Sequence, residues 1–252
     1  QPLEEMVLGP VPPEPLAAFL QKHGFTSLLR RLDAGSGSPS RTTDLNPPKP
    51  TTAAVNGSGE GSRQPLPEMA PIDHSAYETV QTLERLEAWV AHATAARLVA
   101  VDTETTSLDP MRAELVGVSL ALGPNDACYI PLGHGGTDMF AQKPEQVPLA
   151  AALAALKPVL EDASILKIGQ NMKYDAKIFA RNGVDVAPID DTMLMSSALF
   201  AGLHGHGMDT LSDTHLGHVP IPIKSLLGSG KAQVTFDRVP MADAVKYAAE
   251  DA

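Results

Sequence analysis

The chain has 252 residues, of which 43% are hydrophobic and 19% are charged, a composition typical of a globular protein with one core or two small ones. Its formal net charge of −11 argues against broad non-specific binding to nucleic-acid phosphates, unless bound metal ions invert the charge locally. The single cysteine, Cys128, excludes an intramolecular disulfide and favours a reducing, cytoplasmic location. No apolar run reaches the roughly 18 residues of a transmembrane helix, so we expect no membrane partner.

The N-terminal third of the chain contains two segments of different composition. Residues 14–32 show helical spacing of leucine and phenylalanine, with Gly24 as a break, and this pattern predicts two short helices. Residues 34–75 are rich in Gly, Ser, Pro and Thr, which is typical of a flexible linker. The sequence therefore predicts a helical segment at 1–33, a linker at 34–75 and a folded domain at 76–252.

The predicted domain begins with a helix over 78–96 and continues with three strands at 97–105, 113–122 and 126–133. Short turn segments between these strands favour an antiparallel meander. A helix is then predicted at 147–162 and a strand at 164–171. Four further helices follow, at 174–183, 191–202, 208–217 and 241–252. This order predicts an α/β domain with a mixed sheet flanked by helices.

Two acids stand at the end of the first predicted strand, in the stretch LVAVDTETTSLDP. Asp102 and Glu104 are two residues apart, so their side chains share one face of the strand. Two buried carboxylates side by side are costly unless a cation lies between them. The pair predicts a divalent metal site; the alternative is a solvated loop with two ordinary acids.

Two further segments supply acids. Asp175 begins a helix that follows a strand, although an acid there could simply favour the helix N-terminus electrostatically. Tyr247 and Asp251, at i and i+4, share one helix face, which could also be a solvated face. With Asp102 and Glu104 they give four carboxylates from three elements, which is the ligand set of a two-metal phosphoryl-transfer site.

The segments DTETTSLD, GQNMKYD and YAAEDA resemble, in order and spacing, the three motifs of the 3′–5′ proofreading exonuclease domain of bacterial DNA polymerase I. That domain is a DEDD exonuclease of the tyrosine branch, with a ribonuclease-H-like fold. The resemblance runs from about residue 76 to the end. Residues 14–32 also resemble the tail of the preceding 5′-nuclease region, so we expect a polymerase domain to follow in a longer parent chain.

The resemblance implies a role for each motif residue. Asp102, Glu104, Asp175 and Asp251 would bind two divalent ions, Mg²⁺ or alternatively Mn²⁺, and Tyr247 would orient the attacking water. The implied contacts to the DNA strand are Thr105, Leu108, Gln170, Asn171, Tyr174 and Met193. Two positions depart from the family pattern, and both bear on single-strand binding: Gly205 stands where an arginine is expected, and Ile223 where an aromatic residue is expected.

The implied function is metal-dependent removal of nucleotides from a single-stranded or mismatched DNA 3′ end, by a monomer. One alternative is an RNA 3′ exonuclease like ribonuclease D, which shares the tyrosine motif. Another is a catalytically silent domain that only positions DNA. Because Asp251 is the penultimate residue of a helix of about three turns, we also expect this helix to fray and to hold the second metal weakly.

Overall fold

The computed structural model describes residues 13–34, 71–135, 143–230 and 233–252, which fall into two compact units. One unit contains the helices α1 (Pro13–Lys22) and α2 (Thr26–Ala34), together with residues 200–205. The chain turns between α1 and α2 at Gly24, whose φ of +73° suits a residue without a Cβ. The two predicted N-terminal helices are therefore confirmed, while residues 35–70 of the predicted linker lie outside the described residues.

The other unit contains the predicted α/β domain. Its strands within the described ranges are β1 (Glu78–Thr79), β2 (Leu98–Thr105), β3 (Leu115–Gly123), β4 (Asp126–Pro131), β5 (Leu166–Gly169) and β6 (Ile189–Asp191). Its helices there are α3 (Leu83–Ala96), α4 (Leu149–Glu161), α5 (Lys173–Arg181), α6 (Thr192–Leu199), α7 (Met208–Leu216), α8 (Ile223–Leu227) and α9 (Met241–Asp251), with a short 3-10 helix at Phe236–Arg238. None of the helices described is long and apolar enough to cross a membrane.

The six strands form one mixed sheet in the order β1-β4-β3-β2-β5-β6. Strands β2, β3 and β4 make the predicted antiparallel meander, whereas β5 joins β2, and β6 joins β5, in parallel. Strand β1 pairs with β4 in parallel at the other edge. The predicted mixed sheet flanked by helices is confirmed, and β2, which carries the first two acids, lies between β3 and β5.

Three details differ from the prediction. The predicted helix over 78–96 begins only at Leu83, because residues 78–79 pair with β4 and the Thr82 side chain caps the helix by accepting the Arg85 N–H. Strand β6 and helix α8, of three and five residues, were not predicted. Such short elements depend on tertiary contacts more than on local pattern.

The two faces of the sheet pack against different helices. On β4, Cys128 and Ile130 belong to a large core with residues of α3, α4 and α5, whereas Tyr129 belongs to a smaller core with α9 and Phe236. Asp102 lies opposite Ser119 on β3, and Ser119 lies opposite Tyr129. Because opposed residues in antiparallel strands share a face, the acids of β2 point to the side that α9 covers.

Candidate metal centre and active site

Three acids meet between β2 and α9. Among the described residues, carboxylate oxygens of Asp102, Glu104 and Asp251 lie within 4.8 Å of one another. Glu104 is 8% exposed. It lies opposite Gly117, whose lack of a side chain leaves room for the Tyr129 ring on the same face. The arrangement gathers oxygen ligands, which suit a hard divalent cation.

The electrostatics of these acids fit a cation. Burial, and then repulsion from neighbouring carboxylates, raises the pKa of Asp102 and of Glu104 well above the usual range. Burial also raises the pKa of Asp251 to about 7, against the opposing effect of a hydrogen bond from Tyr247. Without a cation, the group therefore holds protons near neutral pH. A divalent cation would supply the missing positive charge and release those protons.

Asp175 lies in the first turn of α5 and is joined to β2 through Thr103. Its Oδ1 accepts hydrogen bonds from the Thr103 N–H (3.1 Å) and the Thr103 Oγ1 (2.5 Å). Burial raises the pKa of Asp175 to about 6, although the bonds from Thr103 oppose this effect. Its charge contributes to the raised pKa of Asp102. Of the four acids singled out in the sequence, three converge and the fourth lies beside them.

Tyr247 lies one turn before Asp251 on α9. Burial raises the pKa of the Tyr247 phenol, and the charges of Asp251, Glu104 and Asp102 add to the effect, so the hydroxyl stays protonated. The ring packs on Phe236, with centroids 5.9 Å apart. The tyrosine thus presents a fixed hydrogen-bond donor to the acidic group.

The loop after β2 is tied down by hydrogen bonds. The Tyr174 hydroxyl donates to the Ser107 carbonyl oxygen (2.5 Å) and lies 2.5 Å from the Thr105 Oγ1. Arg181 Nη1 donates to two carbonyl oxygens further along the loop, those of Pro110 (2.8 Å) and Ala113. Between these anchors Leu108 is 95% exposed. An apolar side chain is thus held out in solvent by a fixed loop.

Three other candidate DNA contacts lie in two segments that hydrogen bonds join: Gln170 and Asn171 follow β5, and Met193 lies in the first turn of α6. The Gln170 amide donates to the His206 carbonyl oxygen (2.7 Å) and accepts from Thr192 Oγ1, so its polar atoms already have partners. The backbone N–H groups of Asn171 and Met193 both donate to Asp191 Oδ1. Asn171 Oδ1 is buried and has no hydrogen-bond partner in the part of the chain described.

The two positions that depart from the family pattern lie on either side of α7. Ile223 begins α8 and packs against the smaller core that includes Phe236 and α9. Gly205 contributes its carbonyl oxygen to a hydrogen bond from the His204 ring (2.7 Å).

Sequence reasoning missed three residues that hold the site. Thr103 lies between the two acids of β2 and binds an acid 72 residues away. Asp191 joins the turn at 170–171 to α6. Glu250, next to Asp251, is 2% exposed and has a pKa below its usual range, because hydrogen bonds from Ile221, His74 and His218 outweigh the effect of burial. No local pattern marks any of them, since each depends on contacts between distant segments.

Comparison with known proteins agrees with this geometry. Residues 77–252 match the family model described as 3′–5′ exonuclease. DNA polymerase I of Rhizobium leguminosarum is 41% identical over 99% of this chain and 30% of its own length. DNA polymerase I of Pseudomonas aeruginosa is 40% identical over 77% of this chain and 21% of its own length. The chain thus spans less than a third of these relatives.

Solved structures show the same fold at low identity. The EXO domain of Aedes aegypti Nibbler superposes with a TM-score of 0.52 at 20% identity, covering 73% of this chain and 85% of that one. Escherichia coli RNase D gives a TM-score of 0.50 at 20% identity, covering 69% and 41%. The expected ribonuclease-H-like fold is confirmed. From the family match over 77–252 and the identity to the two polymerases, the chain belongs to the family of 3′–5′ exonuclease domains of bacterial DNA polymerase I.

Proposed function

We propose that this chain removes nucleotides from a single-stranded or mismatched DNA 3′ end by metal-dependent hydrolysis, and so proofreads for a polymerase domain in the same parent chain. The observation that carries the proposal is the convergence of Asp102, Glu104 and Asp251 within 4.8 Å, with raised carboxyl pKa values. Such a group is unfavourable in a folded protein unless it binds a cation. Cys128 is a free thiol and is buried, so it offers no site for a disulfide between chains. This agrees with our expectation of a monomer in the cytoplasm.

The four acids would hold two divalent ions, Mg²⁺ or Mn²⁺. Asp102, Glu104 and Asp251 would form the centre of the site, and Asp175 would bind from beside them. Ions held there would activate a water and stabilise the leaving 3′ oxygen. The protonated Tyr247 hydroxyl would orient that water by hydrogen bonding rather than remove its proton, because its pKa is raised. No side-chain nucleophile is required by this scheme.

The substrate preference would come from the loop after β2. Leu108 is 95% exposed and held between anchored backbone positions, so its apolar side chain can pack against the last base of a strand. Thr105 and Tyr174 lie at the start of this loop, beside Ser107, and would contact the last nucleotide. A paired end must first be melted to reach this place, which costs free energy, so unpaired ends should be preferred.

The proposal is tested with end-labelled oligonucleotides in Mg²⁺. We expect stepwise loss of nucleotides from the 3′ end of single-stranded DNA, faster cutting of a 3′-mismatched duplex than of a blunt one, and no reaction in EDTA. Equal rates on blunt duplex and single-stranded DNA would contradict the proofreading assignment. Faster cutting of single-stranded RNA would favour the ribonuclease D alternative. Metal binding without any hydrolysis would favour a silent DNA-positioning domain.

A further inference from the structure

Glu250 is the immediate neighbour of Asp251, yet its side chain is committed to a different set of contacts. Glu250 Oε1 accepts hydrogen bonds from His74 Nε2 (3.0 Å) and His218 Nε2 (2.9 Å). Glu250 Oε2 accepts the backbone N–H of Ile221 (2.7 Å). With 2% of its side chain exposed, Glu250 is a buried carboxylate that accepts from three donors.

The segment that carries His74 is itself anchored. The Asp73 N–H donates to Asn125 Oδ1 (2.8 Å), and Asn125 Nδ2 donates to the Pro71 carbonyl oxygen (2.9 Å). Asn125 lies in the turn between β3 and β4, with a φ of +60°. Residues 71–75, which the sequence assigned to the linker, thus contact the sheet and α9, and they precede the family match that begins at residue 77.

The other two donors come from the connection between α7 and α8. His218 follows Gly217, a left-handed residue that ends α7, and Ile221 lies two residues before α8. Glu250 therefore joins α9 to two segments that are distant from each other in sequence. Removal of either histidine would leave the carboxylate with fewer donors in a buried position.

A metal ligand binds more tightly when neighbouring contacts hold its side chain in place. Asp251 follows Glu250 directly on α9 and supplies one of the three converging carboxylates. The fraying expected from the sequence did not take account of Glu250, whose bonds to His74, His218 and Ile221 tie down the same turn.

We propose that the latch formed by Glu250, His74 and His218 is a positioning device for the metal centre, which holds Asp251 against Asp102 and Glu104. Glu250 binds no metal and no substrate in this account; it acts through Asp251. The proposal rests on the proposed function, because it assumes that Asp251 is a metal ligand. It also makes residues 71–75 part of the functional domain.

The decisive substitution is Glu250→Gln, in the full chain. A carboxylate accepts on both oxygens, but an amide has one acceptor oxygen and one NH₂ group. If the NH₂ group faces the Ile221 N–H, donor meets donor. If it faces the two imidazoles, both must shift to the Nδ1–H tautomer to accept at Nε2, and the stronger bonds to a charged carboxylate are lost. We expect Glu250→Gln to weaken Mn²⁺ binding about tenfold, as for other residues that support metal ligands. His74→Ala and His218→Ala should each weaken it by less. The double histidine variant should be no weaker than Glu250→Gln, since both act through one carboxylate.

The measurement is calorimetric titration of Mn²⁺ without DNA, with hydrogen exchange of the amides at 248–251. Glu161→Gln is the matched control, because Glu161 also ends a helix and accepts from a side chain and a backbone N–H, those of Lys157 and Asp185. The control should bind Mn²⁺ within twofold of wild type. Faster exchange at 248–251, with weaker Mn²⁺ binding, supports the latch.

A folded Glu250→Gln protein with wild-type Mn²⁺ affinity would overturn the latch and leave the proposed function standing. Absence of Mn²⁺ binding by the wild type would instead contradict the metal centre, and the latch with it. If Glu250→Gln does not fold, the two single histidine variants decide the matter, since the side chains of His74 and His218 are 36% and 27% exposed and their loss should be tolerated. Unchanged Mn²⁺ affinity in both single histidine variants would then overturn the latch.

Discussion

Asp175 accepts two hydrogen bonds from Thr103, one from its backbone N–H and one from its hydroxyl at 2.5 Å. Thr103 lies between Asp102 and Glu104 in sequence. One stretch of β2 thus presents two acids to α9 and, through Thr103, holds a third acid from α5. Because hydrogen bonds to a carboxylate favour its charged form, Thr103 keeps Asp175 closer to ionisation than burial alone would allow.

Thr103→Val should therefore weaken metal binding in a pH-dependent way. Valine keeps the shape but removes the hydroxyl donor, so the pKa of Asp175 should rise above about 6. We expect Mn²⁺ affinity to fall several-fold at pH 6.5 and the loss to shrink by pH 8.5, where Asp175 is ionised in both proteins. Thr94→Val, on the exposed face of α3, is the control for calorimetry at the two pH values. A loss of equal size at both pH values would show that the Thr103 hydroxyl acts by positioning the Asp175 carboxylate and not by lowering its pKa.

The metal-free protein should lose stability as pH rises from 5 to 8. The carboxyl pKa values of Asp175 and Asp251 are about 6 and about 7 in the folded state, above the ordinary value near 4, so the folded state binds more protons than the unfolded one. Stability then falls with increasing pH across this window, by about 4 kcal/mol. Urea unfolding in EDTA at each pH measures the effect.

Saturating Mg²⁺ should remove or reverse this trend, because the cation binds the ionised acids. Stability that rises with pH in EDTA would contradict the raised pKa values. Asp102→Asn should flatten the EDTA profile by removing one of the mutually repelling carboxylates.

Gly117→Ala should destabilise the domain by about 1–3 kcal/mol. A Cβ on Gly117 would lie 2.1 Å from the Tyr129 hydroxyl, and Tyr129 is completely buried with its hydroxyl bound to His134. The ring has no room to retreat without breaking that bond. Gly123→Ala, where no atom lies within 4 Å of the added Cβ, should change the unfolding free energy by less than about 0.5 kcal/mol. Equal urea midpoints for the two variants would show that the sheet yields at Gly117.

Arg181→Met should loosen the loop that carries Leu108. The substitution removes the hydrogen bonds to the carbonyl oxygens of Pro110 and Ala113 while keeping an apolar stem. We expect faster amide exchange across 108–113 and a few-fold higher KM for single-stranded DNA with little change in kcat, because positioning of the strand end is affected and the acids are not. Arg85→Met, which breaks an ion pair with Glu78 in the edge strand β1, should leave both quantities unchanged. Unchanged exchange across 108–113 in Arg181→Met would show that the loop's other hydrogen bonds, such as that from Tyr174, are enough to order it.

The sequence predicted the parts of the site that follow from period and spacing. Alternation along β2 placed Asp102 and Glu104 on one face, and the i, i+4 spacing placed Tyr247 with Asp251 on α9. It could not predict that Thr103 binds Asp175 or that His74 binds Glu250, because these contacts join residues 72 and 176 positions apart. His74 also lies beside a Pro- and Gly-rich stretch, where composition argues for a linker. Strand β1, with two residues, has no periodicity to detect.

The central claim is that the acids of β2 bind the metal ions that drive hydrolysis. The most direct test is release of nucleotides from 3′-labelled single-stranded DNA by purified Asp102→Ala protein in Mg²⁺, with its fold checked by unfolding in EDTA. We predict no detectable Mg²⁺-dependent hydrolysis, together with an unfolding midpoint equal to or above that of wild type, since one of the repelling carboxylates is gone. Near-normal hydrolysis by the folded Asp102→Ala protein would contradict the account.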